Sequence, residues 1–204
     1  MTQKLALLGG TFDPIHIGHL SMAEWVQSAL DLDCVYFIPA ASPPHKQHLI
    51  TATEQRLKMI ELAIANNSRF QISEIELQRE GPSYTLYTLQ DFVRLYPNAQ
   101  IWWILGLDSL LNLHTWFEYQ QFPKYARFAV IPRPHSPLQK PDLEDYLNQH
   151  LPMFKHRVDW IEMPHLEIAS SLIRERLQNR QSCRYFLSSS VWDYIHAQGL
   201  YTKN

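Results

Sequence analysis

Residues 5 to 25 read LALLGGTFDPIHIGHLSMAEW, and the fold is decided here. Leu5 to Leu8 form a short apolar strand, Gly9 and Gly10 permit a tight turn, and apolar residues recur at helical spacing from Ile17 to Leu30. A strand therefore feeds a glycine turn that opens onto a helix. His16 and His19, three apart, lie on the same side of the helix's first turn. The unsatisfied N–H groups at a helix start attract anions, and residues without side chains let phosphate oxygens approach the backbone. Two imidazoles add further donors, so the stretch reads as a cradle for a polyphosphate.

Working outward, the same alternation continues. Cys34 to Pro39 form a second buried strand, followed by a proline-containing loop. A helix is predicted from about Thr53 to Asn66, with Thr53 as its cap and Leu57, Ile60, Leu62 and Ile64 available for burial. Residues 70 to 77 alternate as a strand, residues 84 to 95 as a helix, and 101 to 105 (IWWIL) as a central strand ending in Gly106-Leu107-Asp108. Short helical turns follow through Trp116 and Tyr119, then strands at 128 to 131 and 158 to 163. Residues 135 to 156, rich in proline and polar side chains, are either a surface insertion or a plain connection, with a helix around 143 to 150. Ser170 or Ser171 caps a helix through Leu177, and a last helix starts at Ser188 to Ser190 and ends at Gly199. Alternating strands and helices imply an α/β fold, a doubly wound, mainly parallel sheet covered on both faces, whose ligands bind at the carboxyl ends of the strands.

Bulk properties narrow the function. The 204 residues fit one domain, 1–204, with enough chain for a core that needs neither disulfide nor metal. Eighteen basic against 20 acidic residues give no general attraction to nucleic acid, so a small anionic substrate fits better. Cys34 and Cys183 follow no pattern and read as thiols in a reducing compartment. The apolar start is too short for a signal peptide and no run reaches the ~18 residues needed to span a membrane, so a cytoplasmic location is expected. His16/His19 and His45/His48 have zinc-like spacing but lack cysteine or carboxylate partners, and no metal site is assigned.

The segment Ile168-Ala169-Ser170-Ser171-Leu172-Ile173-Arg174 sets two serines at a helix start and an arginine one turn in, a second set of phosphate donors. Together, GGTFDPIHIGH at 9–19 and IASSLIR at 168–174 resemble the GxFDPxHxGH and ISSTxxR signatures of the nucleotidyltransferase superfamily, whose members have a Rossmann-like fold. Ala169 stands where that pattern usually has Ser, and Ser171 where it has Thr. The HIGH tetrapeptide at 16–19 is also similar to that of class I aminoacyl-tRNA synthetases, but the chain carries no KMSKS-type loop. Further along, SPPHK at 42–46, PSYTLYTL at 82–89, GLD at 106–108, Trp116, IPRP at 131–134 and VWDYIHAQGLY at 191–201 resemble the bacterial nicotinate-nucleotide adenylyltransferases over nearly the whole chain.

That resemblance implies transfer of the adenylyl group of ATP to nicotinate mononucleotide, giving deamido-NAD and pyrophosphate. It implies that His16, His19 and Arg174 act on the ATP phosphates, with Gly9, Gly10, Thr11, Phe12, Ser170 and Ser171 completing the ATP side. It makes Trp116 the stacking partner of the pyridine ring, sets Tyr84 and Thr85 near its carboxylate and Asp108 on ribose, and gives phosphates to Lys46 and Arg133. Taken singly, Lys46 reads as a solvated lysine, Tyr84 and Thr85 as a helix start, and Trp116 as core. Mg²⁺ is expected mainly on the nucleotide phosphates. Partners are then ATP and nicotinate mononucleotide, without nucleic acid or membrane, and a homo-oligomer is left open. The alternatives are preference for nicotinamide mononucleotide and a non-catalytic nucleotide sensor of the same fold. A phosphopantetheine adenylyltransferase fits less well, because it usually carries Thr at the position of His16. An RNA-binding module would call for a basic face that the composition does not require.

Overall fold

The computed structural model describes residues 2–42, 51–132 and 138–202. Along β1 (Lys4–Gly10), side chains alternate between the two faces of the sheet, so Leu5 and Leu7 enter one apolar core while Ala6 and Leu8 enter the other. Both sets are buried because helices cover both faces. β1 pairs in parallel with β2 (Cys34–Pro39) and β4 (Gln100–Gly106), and β2 with β3 (Phe70–Ile72). β4 then pairs with β5 (Arg127–Ile131), and β5 with β6 (Val158–Trp160). The order is β3-β2-β1-β4-β5-β6. It reverses between β1 and β4, and sheets of this kind bind ligands at such a reversal, outside the carboxyl ends of the strands.

The first core packs under α1 (Ile17–Leu30), α2 (Thr53–Ile64), α6 (Ser170–Gln178) and α7 (Ser189–Ala197). The second packs under α3 (Thr85–Leu95), α4 (Leu107–Leu111) and α5 (Leu143–His150). Toward the β6 edge, Asp159 takes hydrogen bonds from the Trp102 indole at 2.8 Å and from Arg127 Nε and Nη2 at 2.9 and 2.8 Å. One bidentate carboxylate thereby ties three strands together. Among the described residues, no helix is long and apolar enough to cross a membrane.

Most predicted elements appear at or near their expected positions, with four corrections. β3 stops at Ile72, because residues 73 to 79 turn through hydrogen bonds to the Glu74 and Glu76 carbonyls instead of continuing the ladder. β6 likewise ends at Trp160. α2 is preceded by Ala52, and the Thr53 hydroxyl accepts from Arg56 instead of capping. Its buried stripe is Arg56, Met59, Ile60 and Ile64, the true helical spacing, with Leu57 and Leu62 only partly covered. α6 begins after Ala169, which has no hydroxyl to offer, so neither serine is its cap. Within the 135–156 segment, the described part carries the predicted helix, whose Leu147 inserts into the second core alongside Leu138, Leu151 and Phe154.

Candidate active site

The glycine turn ends β1 at this reversal. A Cβ on Gly9 would lie 2.7 Å from the Trp103 ring, and one on Gly10 would lie 3.0 Å from the Phe12 ring. Aromatic side chains from both faces therefore press on backbone that has no room for a side chain. Phe12 is buried with φ of 49°, a left-handed conformation uncommon for a bulky residue and concentrated at functional sites. Its ring meets Phe37 at 5.8 Å and His19 edge-on at 5.1 Å, so the first core reaches directly to a site histidine.

His16 lies just before α1, and His19 stands in the first turn. Their rings stack at 3.7 Å, as the three-residue spacing predicts. The His16 main-chain N–H donates to His19 Nδ1 at 3.3 Å, and the His19 N–H donates to the His16 carbonyl at 2.9 Å. A ring that accepts at Nδ1 carries its proton on Nε2, which makes Nε2–H the outward donor of His19. His16 is only 5 % exposed, and burial pushes its pKa down to about 4, so the imidazole is neutral near pH 7.

The two signatures, more than 150 positions apart in the chain, meet through main-chain carbonyls. Ser170 Oγ donates to the Pro14 carbonyl at 2.9 Å, and Arg174 Nη1 donates to the Asp13 carbonyl at 2.6 Å. Ser171 lies exposed on the same first turn of α6. The turn after β1 and the start of α6 are thus held side by side.

Sequence reasoning missed the support beneath this turn. Arg56 is fully buried and donates to the Thr11 carbonyl at 2.9 Å, the Ala40 carbonyl at 3.0 Å and Thr53 Oγ1 at 3.1 Å. Burial lowers its pKa, while the negative charge of Asp13 works in the opposite direction. The Asp13 carboxylate, also buried, accepts the Tyr201 hydroxyl at 2.6 Å. A cation on the buried stripe of α2 was the signal available for Arg56. For Tyr201 it was the closing GLY of the chain.

On the other side of β4, Asp108 is exposed at the start of α4. Tyr84 precedes α3 and stacks on Phe117 at 4.4 Å, while Thr85 opens that helix. Trp116 is half-buried beside Phe117 in the chain, with its ring edge-on to Phe122 at 6.3 Å. The structure thereby brings the segments around Tyr84 and Trp116 together. Behind them, Thr88 Oγ1 donates to the buried Glu76 carboxyl at 2.6 Å, and burial pushes the pKa of that carboxyl up. Ser83 Oγ accepts from the Ala41 and Ser42 N–H groups, which ties the entry to α3 to the end of β2. Lys46 and Arg133 lie outside the described residues.

Comparison with known proteins agrees with this geometry. The cytidylyltransferase-like family matches residues 7–176. A probable nicotinate-nucleotide adenylyltransferase of Geobacillus kaustophilus is 40% identical over 97% of this chain and 86% of its own length. One of the same description from Thermus thermophilus is 40% identical over 97% of this chain and 99% of its own. The solved nicotinic acid mononucleotide adenylyltransferase of Plasmodium falciparum, complexed with NaAD, superposes with a TM-score of 0.81. It covers 98% of this chain and 97% of its own at 21% identity, a likeness of fold.

Proposed function

The chain belongs to the cytidylyltransferase-like family and, within it, to the nicotinate-nucleotide adenylyltransferases; taking that membership as the premise, we propose that it transfers the adenylyl group of ATP to nicotinate mononucleotide, forming deamido-NAD and pyrophosphate in NAD biosynthesis. The observation that carries the reading is the junction of the two signatures, Ser170 on the Pro14 carbonyl and Arg174 on the Asp13 carbonyl. It supports the reading because it sets the two proposed groups of phosphate donors side by side.

In this reaction an oxygen of the acceptor's phosphate attacks the α-phosphorus of ATP in line. The new P–O bond forms as the α–β bridging bond breaks, and the electron pair of that bond leaves with pyrophosphate. The attacking phosphate is already ionised at neutral pH, so no general base is required. What remains for the protein is to position the reactants and to stabilise charge on the transferring phosphoryl oxygens and the leaving group. His16, kept neutral by burial, and His19, through Nε2, serve as donors. Arg174 uses Nη1 on the turn and offers its remaining donors to the β- and γ-phosphates. Gly9, Gly10, Thr11 and Phe12 shape the backbone cradle, with Ser170 and Ser171 closing the ATP side. Trp116 stacks on the pyridine ring, Tyr84 and Thr85 meet its carboxylate, Asp108 binds ribose, and Lys46 and Arg133 serve phosphates.

Among the described residues no group of three His, Cys, Asp or Glu could hold a metal ion, and the buried Asp13 faces Tyr201. On this reading Mg²⁺ would be carried mainly on nucleotide phosphates and water, as suits a hard cation that gives up its waters reluctantly. Bound there, the ion would neutralise phosphate charge. The reading takes residues 1–204 as one catalytic domain at work in the cytoplasm, with no nucleic-acid or membrane partner, and it is compatible with a homo-oligomer.

The test is pyrophosphate release with ATP and Mg²⁺ plus either mononucleotide. Turnover with nicotinate mononucleotide is expected. Preference for nicotinamide mononucleotide would overturn the acceptor assignment alone, and no turnover with either would leave a nucleotide sensor.

A further inference from the structure

The turn that follows α7 reaches back to the turn after β1. After α7, Gly199 (φ 60°) and Tyr201 (φ 62°) both take the left-handed conformation, and the Leu200 N–H donates to the Ile195 carbonyl at 3.0 Å. For a tyrosine this is an uncommon backbone state, and it directs the side chain inward. Tyr201 is 7 % exposed and sits in the first core, its hydroxyl 2.6 Å from Asp13 Oδ1 and 4.0 Å from the Met59 sulfur. The ring alone would satisfy the packing, and a phenylalanine would fill the same volume. The hydroxyl does something else: it orients a buried carboxylate that lies under the turn, close to the Arg56 guanidinium. Asp13 is also the residue whose carbonyl Arg174 grips, and it stands three positions before His16. Arg56 holds the Thr11 carbonyl on the other side.

Resting on the function proposed above, we infer that Tyr201 is a positioning residue for adenylyl transfer, its hydroxyl setting the Asp13 carboxylate and through it the turn that aligns His16, His19 and Arg174 on the triphosphate. The C-terminal turn is thus part of the active-site framework although it touches no substrate. Misplacing a reacting group by about an ångström costs on the order of a hundredfold in rate, so a smaller shift is expected to cost about tenfold. The loss falls on kcat, because Tyr84, Thr85 and Trp116 stand at α3 and after α4, elements of the second core, whereas the Tyr201 ring packs in the first.

The experiment compares wild type, Tyr201→Phe and Val191→Ala by steady-state kinetics, thermal unfolding and imidazole NMR. Val191 is buried in α7, in the core that also holds the Tyr201 ring, and has no hydroxyl to offer Asp13, so its truncation reports general loosening of that core without loss of the hydrogen bond. Tyr201→Phe is expected to lower kcat about tenfold with the KM for nicotinate mononucleotide unchanged, to lower Tm by about 5 °C, and to shift the His16 and His19 ring resonances. Val191→Ala is expected to lower Tm while leaving kcat and those resonances as in wild type. A wild-type kcat in Tyr201→Phe, or kcat losses in both variants that simply follow Tm, would overturn the inference. If wild type itself releases no pyrophosphate, the functional reading fails separately. The resonances then decide alone, and unmoved imidazoles in Tyr201→Phe refute the positioning role.

Discussion

Burial of His16 makes the stability of this protein depend on pH in a way that can be worked out from one residue. In the unfolded chain the imidazole titrates near 6.5, and in the folded protein burial lowers this to about 4. Between those values the unfolded chain binds a proton that the native state refuses, so stability falls as the solution is acidified. The contribution is fully present above about pH 7, and the two pKa values give a loss of roughly 1.4 kcal/mol at pH 5.5 and roughly 2.5 kcal/mol at pH 4.5. Other groups titrate in the same window. The Glu76 carboxyl, pushed up by burial, contributes with the opposite sign, its stabilisation being lost as pH rises. Comparing wild type with His16→Gln cancels those groups. Urea unfolding of both at pH 7.5, 5.5 and 4.5 should show the stability difference narrowing against wild type by the amounts given. A difference that stays constant to within about 0.5 kcal/mol would refute the reasoning. It would mean that the ring exchanges its proton with water as an exposed histidine does. By the same argument kcat should be insensitive to His16 protonation between pH 6 and 8.

Three further outcomes are expected. His19→Ala should lower kcat at least about tenfold, the order expected when a transition-state donor is lost; an unchanged kcat would remove the residue from the chemistry. A Cβ at Gly18 would lie 3.0 Å from His16 Nδ1, so Gly18→Ala should displace the stacked rings and cut kcat about tenfold. Because alanine favours a helix by about 0.5–1 kcal/mol, its Tm should hold or rise, and unaltered turnover in differential scanning and kinetic assays would show that the rings yield freely. Trp116→Ala should raise the KM for the mononucleotide about tenfold, the worth of one aromatic stack, with the KM for ATP within about twofold. An unchanged acceptor KM would return this tryptophan to a packing role against Phe122.

Much of what rests on local pattern was legible in the sequence. Strand, glycine turn and helix at 4–30, the helical spacing of His16 and His19 and the alternation of elements along the chain are written in neighbouring residues, and local sterics and periodicity are enough to read them. It also marked the IASSLIR segment as a helix start, but the serines that read as caps are not caps, and Ser170 turns its hydroxyl to the Pro14 carbonyl. The shortness of β3 and β6 was not legible, since a strand ends where its neighbour's ladder ends. Only the tertiary structure decided that Arg56, a cation on an otherwise apolar stripe, is buried whole beneath the cradle, and that Tyr201 closes on Asp13 across 188 positions of chain. The physical reason is the same in each case. A hydrogen bond between distant segments leaves no periodic trace in either of them, because it depends on which surfaces the packed sheet and helices bring within about 3 Å of one another.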